Sequence, residues 1–160
     1  MNEKAEGKVN SFIESVNSLF AEIESWIAAT SLKGIRQEIE ISEEASGRYS
    51  VDKLTLENNE RKKIAEFIPI ATFIIGGNGR VDLIGTIDKV IIVNLEIDGS
   101  AMTTTITAGG YTETRTTSFY IGIEKPGWYW IEDGKRGKAN FFTKELFIEL
   151  LREVSDYELN

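Results

Sequence analysis

The sequence predicts an α+β protein in which one antiparallel sheet is flanked by an N-terminal and a C-terminal amphipathic helix. Apolar residues recur at spacings of three and four near both ends of the chain, which is the helical period. Between them lie alternating or continuously apolar segments separated by glycine-rich turns, and no connection requires a parallel crossover. The 160 residues suit one domain, residues 1–160, with a meander of six to eight strands over about 35–131.

The first helix is predicted over about 8–31. Its apolar stripe consists of Val9, Phe12, Ile13, Val16, Leu19, Phe20, Ile23, Trp26 and Ile27. Gly34 follows as a stop signal, because glycine takes the left-handed conformation that ends many helices. The stripe holds more apolar residues than one helix usually buries on one sheet, so it also predicts a homodimer formed through this helix.

The first two strands are predicted at about 35–42 and 48–57. In the first strand, isoleucines alternate with charged residues, which indicates one buried face and one solvated face. In the second, Tyr49 and Val51 share one face, whereas Leu54 and Leu56 share the other. A regularly alternating strand cannot bury both pairs, so we expect a bulge or break near residues 52–53.

Two apolar runs, 67–75 and 90–93, lie on either side of the turn 76–79. Residues 63–75 are predicted as one strand whose apolar part is buried on both faces. Asn-Gly sequences readily supply positive φ, so we interpret 76–79 as a hairpin turn. It lacks the ending of a phosphate-binding loop, and a strand follows it rather than a helix. The next strands are predicted at 80–84 and 87–97, the latter the longest.

Residues 98–117 are rich in Thr and Gly, and the sequence leaves open whether they form an edge hairpin with Gly109-Gly110 at its tip or a mobile loop. Strands are then predicted at 118–123 and 128–131, followed by a polar loop at 132–138. The last helix is predicted over about 144–156, with Thr143 as its N-cap.

The formal net charge of −8 is concentrated at the two ends of the chain. Residues 1–60 carry 12 acidic and 6 basic side chains, whereas residues 61–138 are nearly neutral. An acidic surface repels phosphates, so nucleic acid is an unexpected partner and a basic protein is a better one. No apolar run is long enough to span a bilayer, and we expect a soluble cytoplasmic protein without a membrane partner.

The chain contains no His and no Cys, which excludes a Ser-His-Asp triad within it and leaves zinc without its usual ligands. No cofactor and no metal are predicted. Carboxylates alone can still perform acid–base chemistry. An enzyme of that kind is a further hypothesis, and it requires Asp82, Asp88 and Arg80 to converge in one cleft. The competing interpretation is that Asp82 simply pairs with Arg80.

The candidate interaction surface consists of Trp128, Trp130, Lys135, Arg136 and Lys138. Aromatic residues are enriched at binding hot spots, although tryptophans of a short strand also serve as core residues. The sequence therefore favours a non-enzymatic protein-interaction module, such as an acidic immunity-type inhibitor or an assembly protein. The alternatives are a small-ligand binder built on a curved half-barrel and the enzyme based on Asp and Glu.

Overall fold

A computed structural model describes residues 2–97, 101–118, 120–132 and 137–160. The elements in these residues are α1 (Glu3–Ile27), β1 (Lys33–Glu43), β2 (Gly47–Glu57), β3 (Lys63–Ala71), β4 (Arg80–Gly85), β5 (Lys89–Leu95), β6 (Ala101–Ala108), β7 (Tyr111–Ser118), β8 (Gly127–Ile131), β9 (Ala139–Phe141) and α2 (Lys144–Ser155). Seven strands form one antiparallel sheet in the order β1-β2-β3-β4-β5-β8-β9, and β6 and β7 form a separate pair. The α+β class and the number of strands in the main sheet are therefore as predicted.

Helix α1 spans Glu3–Ile27, so it begins and ends earlier than the predicted range of about 8–31. The side chain of Asn2 caps it by accepting a hydrogen bond of 2.8 Å from the backbone N–H of Ala5. The chain leaves the helix after Ile27, and the predicted stop residue Gly34 already lies in β1. A Cβ at Gly34 would lie 3.1 Å from a methyl group of Leu54, so glycine here serves the close packing of α1 on the sheet.

Both helices cover the same face of the sheet and fill it with one hydrophobic core. Aromatic rings connect the layers: Phe67 of β3 lies within 6.0–6.3 Å of Phe20, Phe142 and Phe147 between ring centroids. The apolar stripe of α1 is buried in this core. The core includes all members of the stripe except Ile13 and Trp26, which pack against it. The surplus from which the homodimer was predicted is thus satisfied within one chain, and dimerisation through α1 stays a prediction.

Helix α2 is fixed at both ends. Thr143 is the N-cap, as predicted, and its hydroxyl accepts a hydrogen bond of 3.2 Å from the N–H of Leu146. At the other end, the carbonyl of Val154 accepts hydrogen bonds from the N–H groups of Ile87 and Asp88 in the β4–β5 turn. A Cβ at Gly85 would lie 2.1 Å from that carbonyl oxygen. Glycine is therefore needed where the helix end meets the turn.

The predicted bulge near residues 52–53 is wrong, although the buried side does change there. Strands β1 and β2 pair without interruption from Lys33–Glu57 to Glu43–Gly47. The neighbour of β2 changes at this point, because β3 pairs with β2 from Glu57 only as far as Leu54. Beyond that point, β1 and β2 continue as a two-stranded ribbon. The carboxylate of Glu43 holds the ribbon against the chain after β3 by accepting hydrogen bonds from Tyr49 and from the N–H groups of residues 72–73.

The expectation that 67–75 forms a strand buried on both faces is also wrong. Strand β3 ends at Ala71, and its side chains alternate between buried and more exposed positions. Ile70 is 38% exposed and Ile75 is 78% exposed. The chain reverses at residues 75–76 inside an isolated bridge between Ile74 and Gly77. The prediction failed because a run of apolar residues is compatible both with a strand covered on two faces and with a strand that has one exposed face.

Strand β5 is covered on both sides, as predicted for 90–93, but it spans seven residues, whereas β1 and β2 span eleven each. Val90 and Ile92 join the helix-covered core, whereas Val93 and Leu95 join a smaller apolar cluster with Tyr129 of β8 on the opposite face. The predicted strand 118–123 is wrong beyond the end of β7. Residues 120–126 contain only an isolated bridge at Ile121, and the edge strand β9 was not predicted.

Candidate functional site

Trp128 and Trp130 lie on the helix-covered face of β8. Trp128 is 9% exposed and belongs to the core, where its indole N–H donates a hydrogen bond of 3.2 Å to the carbonyl oxygen of Ser15 in α1. Trp130 is half-buried and packs against the same core. Since Trp128 is used to join α1 to the sheet, an interaction surface at this strand depends on the exposed part of Trp130.

The basic part of that predicted surface falls on the β8–β9 connection. Lys135 and Arg136 lie outside the described residues. Lys138 is exposed, and its ammonium lies 3.8 Å from the carboxylate of Glu132. The interaction surface at Trp130 and Lys138 stays a prediction.

Asp82 pairs with Arg80, which is the competing interpretation drawn from the sequence. It is 3% exposed, and its two carboxylate oxygens accept hydrogen bonds of 2.8 and 3.0 Å from Nε and Nη2 of Arg80. Asp88 lies in the exposed β4–β5 turn, where its carboxylate accepts from the N–H of Lys89. No ion pair or hydrogen bond among the described residues joins Asp88 to the other two. The enzyme hypothesis thus lacks the convergent cleft from which it was argued, and it stays a prediction.

A second acid, whose side chain is 12% exposed, lies on the helix-free face of the sheet. Glu66 of β3 receives hydrogen bonds of 2.9 Å from the ammonium groups of Lys53 and Lys63 and one of 3.1 Å from the hydroxyl of Thr55. Burial alone would raise the pKa of Glu66, but these three donors outweigh it and lower the pKa to about 2. The carboxylate is therefore ionised at neutral pH and neutralised by its neighbours.

The described side chains of the β6–β7 hairpin, residues 104–114, are exposed except for that of Glu113, which is half-buried. Over residues 101–117, the alternative left open for 98–117 is decided in favour of a hairpin, although the pair is separate from the main sheet and does not lie at its edge. Gly109 and Gly110 lie in its turn, with φ of 57° and 78°. On one face, hydroxyl pairs of threonines lie across from each other at 3.3–3.5 Å. The other face carries Ile106 and Tyr111, which are 51% and 66% exposed. Ile106 was not predictable as a surface residue, because one isoleucine among threonines gives no periodic signal.

Two cavities contain candidate binding groups. The larger, about 590 Å³, lies between the first turns of α1 and residues 72–78, and its wall includes Lys4 and Lys8. The smaller, about 220 Å³, lies on the helix-free face beside Arg80 and Tyr120. The larger cavity lies at the N-terminal end of α1, and the rest of the space between the sheet and the helices, where the predicted half-barrel would hold its ligand, is filled by the core. The half-barrel alternative stays a prediction.

Comparisons of the chain with protein-family models, with curated proteins and with solved structures found no match. No described helix combines the length and the apolar character needed to cross a membrane. Among the described residues, no three acidic side chains come together in a group that could hold a metal ion. The assignment of function therefore depends on the surfaces and cavities of the chain itself.

Proposed function

We propose that this chain is a non-enzymatic protein-interaction module and that the β6–β7 hairpin is its binding arm. One observation carries the proposal: the two strands pair with each other, and neither apolar cluster includes a described side chain of the hairpin. The described side chains of the hairpin, residues 104–114, therefore lie outside both apolar clusters. Segments that a scaffold presents without packing them are where binding residues concentrate.

The physical chemistry of the hairpin supports a partner. A two-stranded hairpin is only marginally stable in water by itself, and covering one of its faces stabilises it. Covering a large apolar side chain completely contributes about 1.5–3 kcal/mol. Because Ile106 and Tyr111 are half to two-thirds exposed, a partner that covers both gains about 2–4 kcal/mol. The outer edges of β6 and β7 also offer backbone groups to an added strand.

The charge of the chain supports a partner of basic character. Its formal net charge is −8, and α1 presents acidic side chains such as Glu14 and Glu22 to solvent. Opposite charge accelerates encounter and disfavours acidic competitors. A cytoplasmic location is kept as part of the proposal, since a chain without cysteine suits a reducing compartment.

The test is a quantitative pull-down from the source organism with the full-length chain and two variants. Ile106→Thr/Tyr111→Thr removes the apolar surface but keeps the strand preference of the hairpin. Ile87→Thr, in the β4–β5 turn, removes an isoleucine that is 65% exposed and serves as the matched control. We expect one stoichiometric partner with the wild type and the control, and at least about ten-fold weaker binding of the purified partner by the hairpin variant.

Two results would overturn the proposal. One is the recovery of no stoichiometric partner by the wild-type chain. The other is a partner whose affinity is the same for the hairpin variant as for the wild type. Light scattering at two concentrations then shows whether a second copy of the chain occupies the hairpin instead, because self-association would raise the mass in the wild type and not in the variant.

A further inference from the structure

The smaller cavity has the composition of a ligand site. It encloses about 220 Å³ on the helix-free face of the sheet. Its wall is formed by Ile74, Arg80, Ile91, Val93, Tyr120 and Ile131. Four of these side chains are aliphatic, and the polar side-chain groups are one guanidinium and one phenol hydroxyl. Small-molecule sites commonly combine an apolar wall with a few polar groups that fix the orientation of the ligand.

Asp82 holds Arg80 through two hydrogen bonds and leaves some of its N–H donors unused. Asp82 engages two of its five N–H groups, and the other three have no acceptor among the described side chains and backbone groups. The ammonium of Lys89 lies 4.0 Å from the same carboxylate. Arg80 lines the cavity, and Asp82 and Lys89 lie beside it, so these three groups together carry one net positive charge next to the cavity.

Tyr120 supplies a second donor. The ring is half-buried, and burial raises the pKa of its hydroxyl, whereas the positive charge of Arg80 acts in the opposite direction. A phenol hydroxyl is protonated at neutral pH, so that of Tyr120 can donate to an acceptor placed beside Arg80. A guanidinium with unused N–H donors beside a hydroxyl donor favours an anionic acceptor, because hydrogen bonds from a charged donor to an anion are the stronger kind.

We propose that this cavity binds a small monocarboxylic acid that has a compact apolar group. The carboxylate would accept from the guanidinium of Arg80 and the hydroxyl of Tyr120, and the apolar group would lie among Ile91, Val93 and Ile131. An apolar cavity of about 150 Å³ accommodates benzene, so 220 Å³ suits a ring or branched chain with its carboxylate. The site is separate from the hairpin and does not depend on the proposed protein partner.

Benzoate is the probe, and the methyl resonances of Ile91, Val93 and Ile131 are the readout. We expect saturable shifts of these methyl groups with a dissociation constant in about the millimolar range. Benzyl alcohol has the same ring without the charge, and acetate has the charge without the ring. Each of them should bind at least about ten-fold more weakly than benzoate, because each loses one of the two interactions.

Two variants test the assigned donors. Tyr120→Phe keeps the ring, and Arg80→Gln/Asp82→Asn keeps a neutral hydrogen-bonded pair where the buried ion pair was. Both should weaken benzoate at least about ten-fold, whereas Asp88→Asn, in the exposed turn, should not change its affinity. If the double variant fails to fold, Tyr120→Phe decides. The inference is overturned if benzoate causes no saturable shifts of these methyl groups, if benzyl alcohol binds equally well, or if Tyr120→Phe binds like the wild type.

Discussion

Replacing Glu66 with glutamine is expected to destabilise the protein at neutral pH and to have almost no effect in strong acid. Glutamine keeps the acceptor for the hydroxyl of Thr55 but loses the ion pairs with Lys53 and Lys63, whose ammonium groups both lie 2.9 Å from the carboxylate. The pKa of Glu66 is about 2 in the folded protein, against an ordinary value of 4.5. Full conversion of that difference gives roughly 3 kcal/mol.

Solvent screening reduces this figure, because the side chain of Lys63 is 59% exposed. We expect a loss of about 1–2 kcal/mol in the free energy of unfolding at pH 7. This corresponds to a fall of about 2–8 °C in the melting temperature. A carboxylate with a depressed pKa stabilises the fold above its unfolded pKa and loses that contribution as the pH falls through its folded pKa. The difference between variant and wild type should therefore shrink between about pH 5 and pH 2.

Urea unfolding of wild type and Glu66→Gln at pH 7, 5 and 3 measures this difference directly. Glu40→Gln is the matched control, because Glu40 also faces a cation, Arg48, but that pair is 3.7 Å apart and well exposed. The control should match the wild type within error at all three pH values. An equal loss for Glu66→Gln at pH 7 and pH 3 would refute the ion-pair explanation, and so would no loss at pH 7.

Two further predictions concern glycine and tyrosine. Gly85→Ala should cost about 1–3 kcal/mol in urea unfolding, because its Cβ would lie 2.1 Å from the carbonyl oxygen of Val154. Gly7→Ala, in α1 with no atom within 4 Å of the added Cβ, should instead stabilise by about 0.5–1 kcal/mol. The opposite order would contradict the packing assigned to Gly85. Burial and the neighbouring Glu43 raise the pKa of Tyr49 to about 12, so its contribution to stability is present below pH 10 and is lost as the pH rises from 10 to 12. Tyr49→Phe should flatten that alkaline decline in stability, and an unchanged decline would contradict it.

The two helices were predictable because their stabilising contacts are local or periodic. The stripe of α1 and the N-cap at Thr143 are read from neighbouring residues, and the structure confirms both. The predicted bulge near residues 52–53 failed for a reason outside the local sequence. The buried side of β2 changes because β3 stops pairing with it at Leu54. The position of β3 cannot be inferred from the residues of β2. Strand β9 was missed because three residues give no period to detect.

Some of the candidate binding groups were likewise recognisable in the sequence, whereas others depend on contacts between distant segments. The Thr- and Gly-rich segment that contains Tyr111 was recognised in the sequence as a possible hairpin, and Tyr111 is exposed on it. The cavity beside Arg80 and Tyr120 was not predictable, because its walls come from β4, β5, β8 and the connections after β3 and β7. Trp128 was a candidate surface residue in the sequence but is buried in the structure. Its indole N–H donates to the carbonyl oxygen of Ser15, 113 residues away, a contact that the local sequence does not reveal.

The sequence by itself determined the class of the fold, the two amphipathic helices, the antiparallel meander and the absence of histidine and cysteine chemistry. These follow from composition and from contacts between residues near one another in the chain. Only the tertiary structure decided which faces of the sheet are covered, which acids are buried in ion pairs and which side chains line the cavity. Those features arise where distant segments meet, and burial at such a meeting depends on both partners.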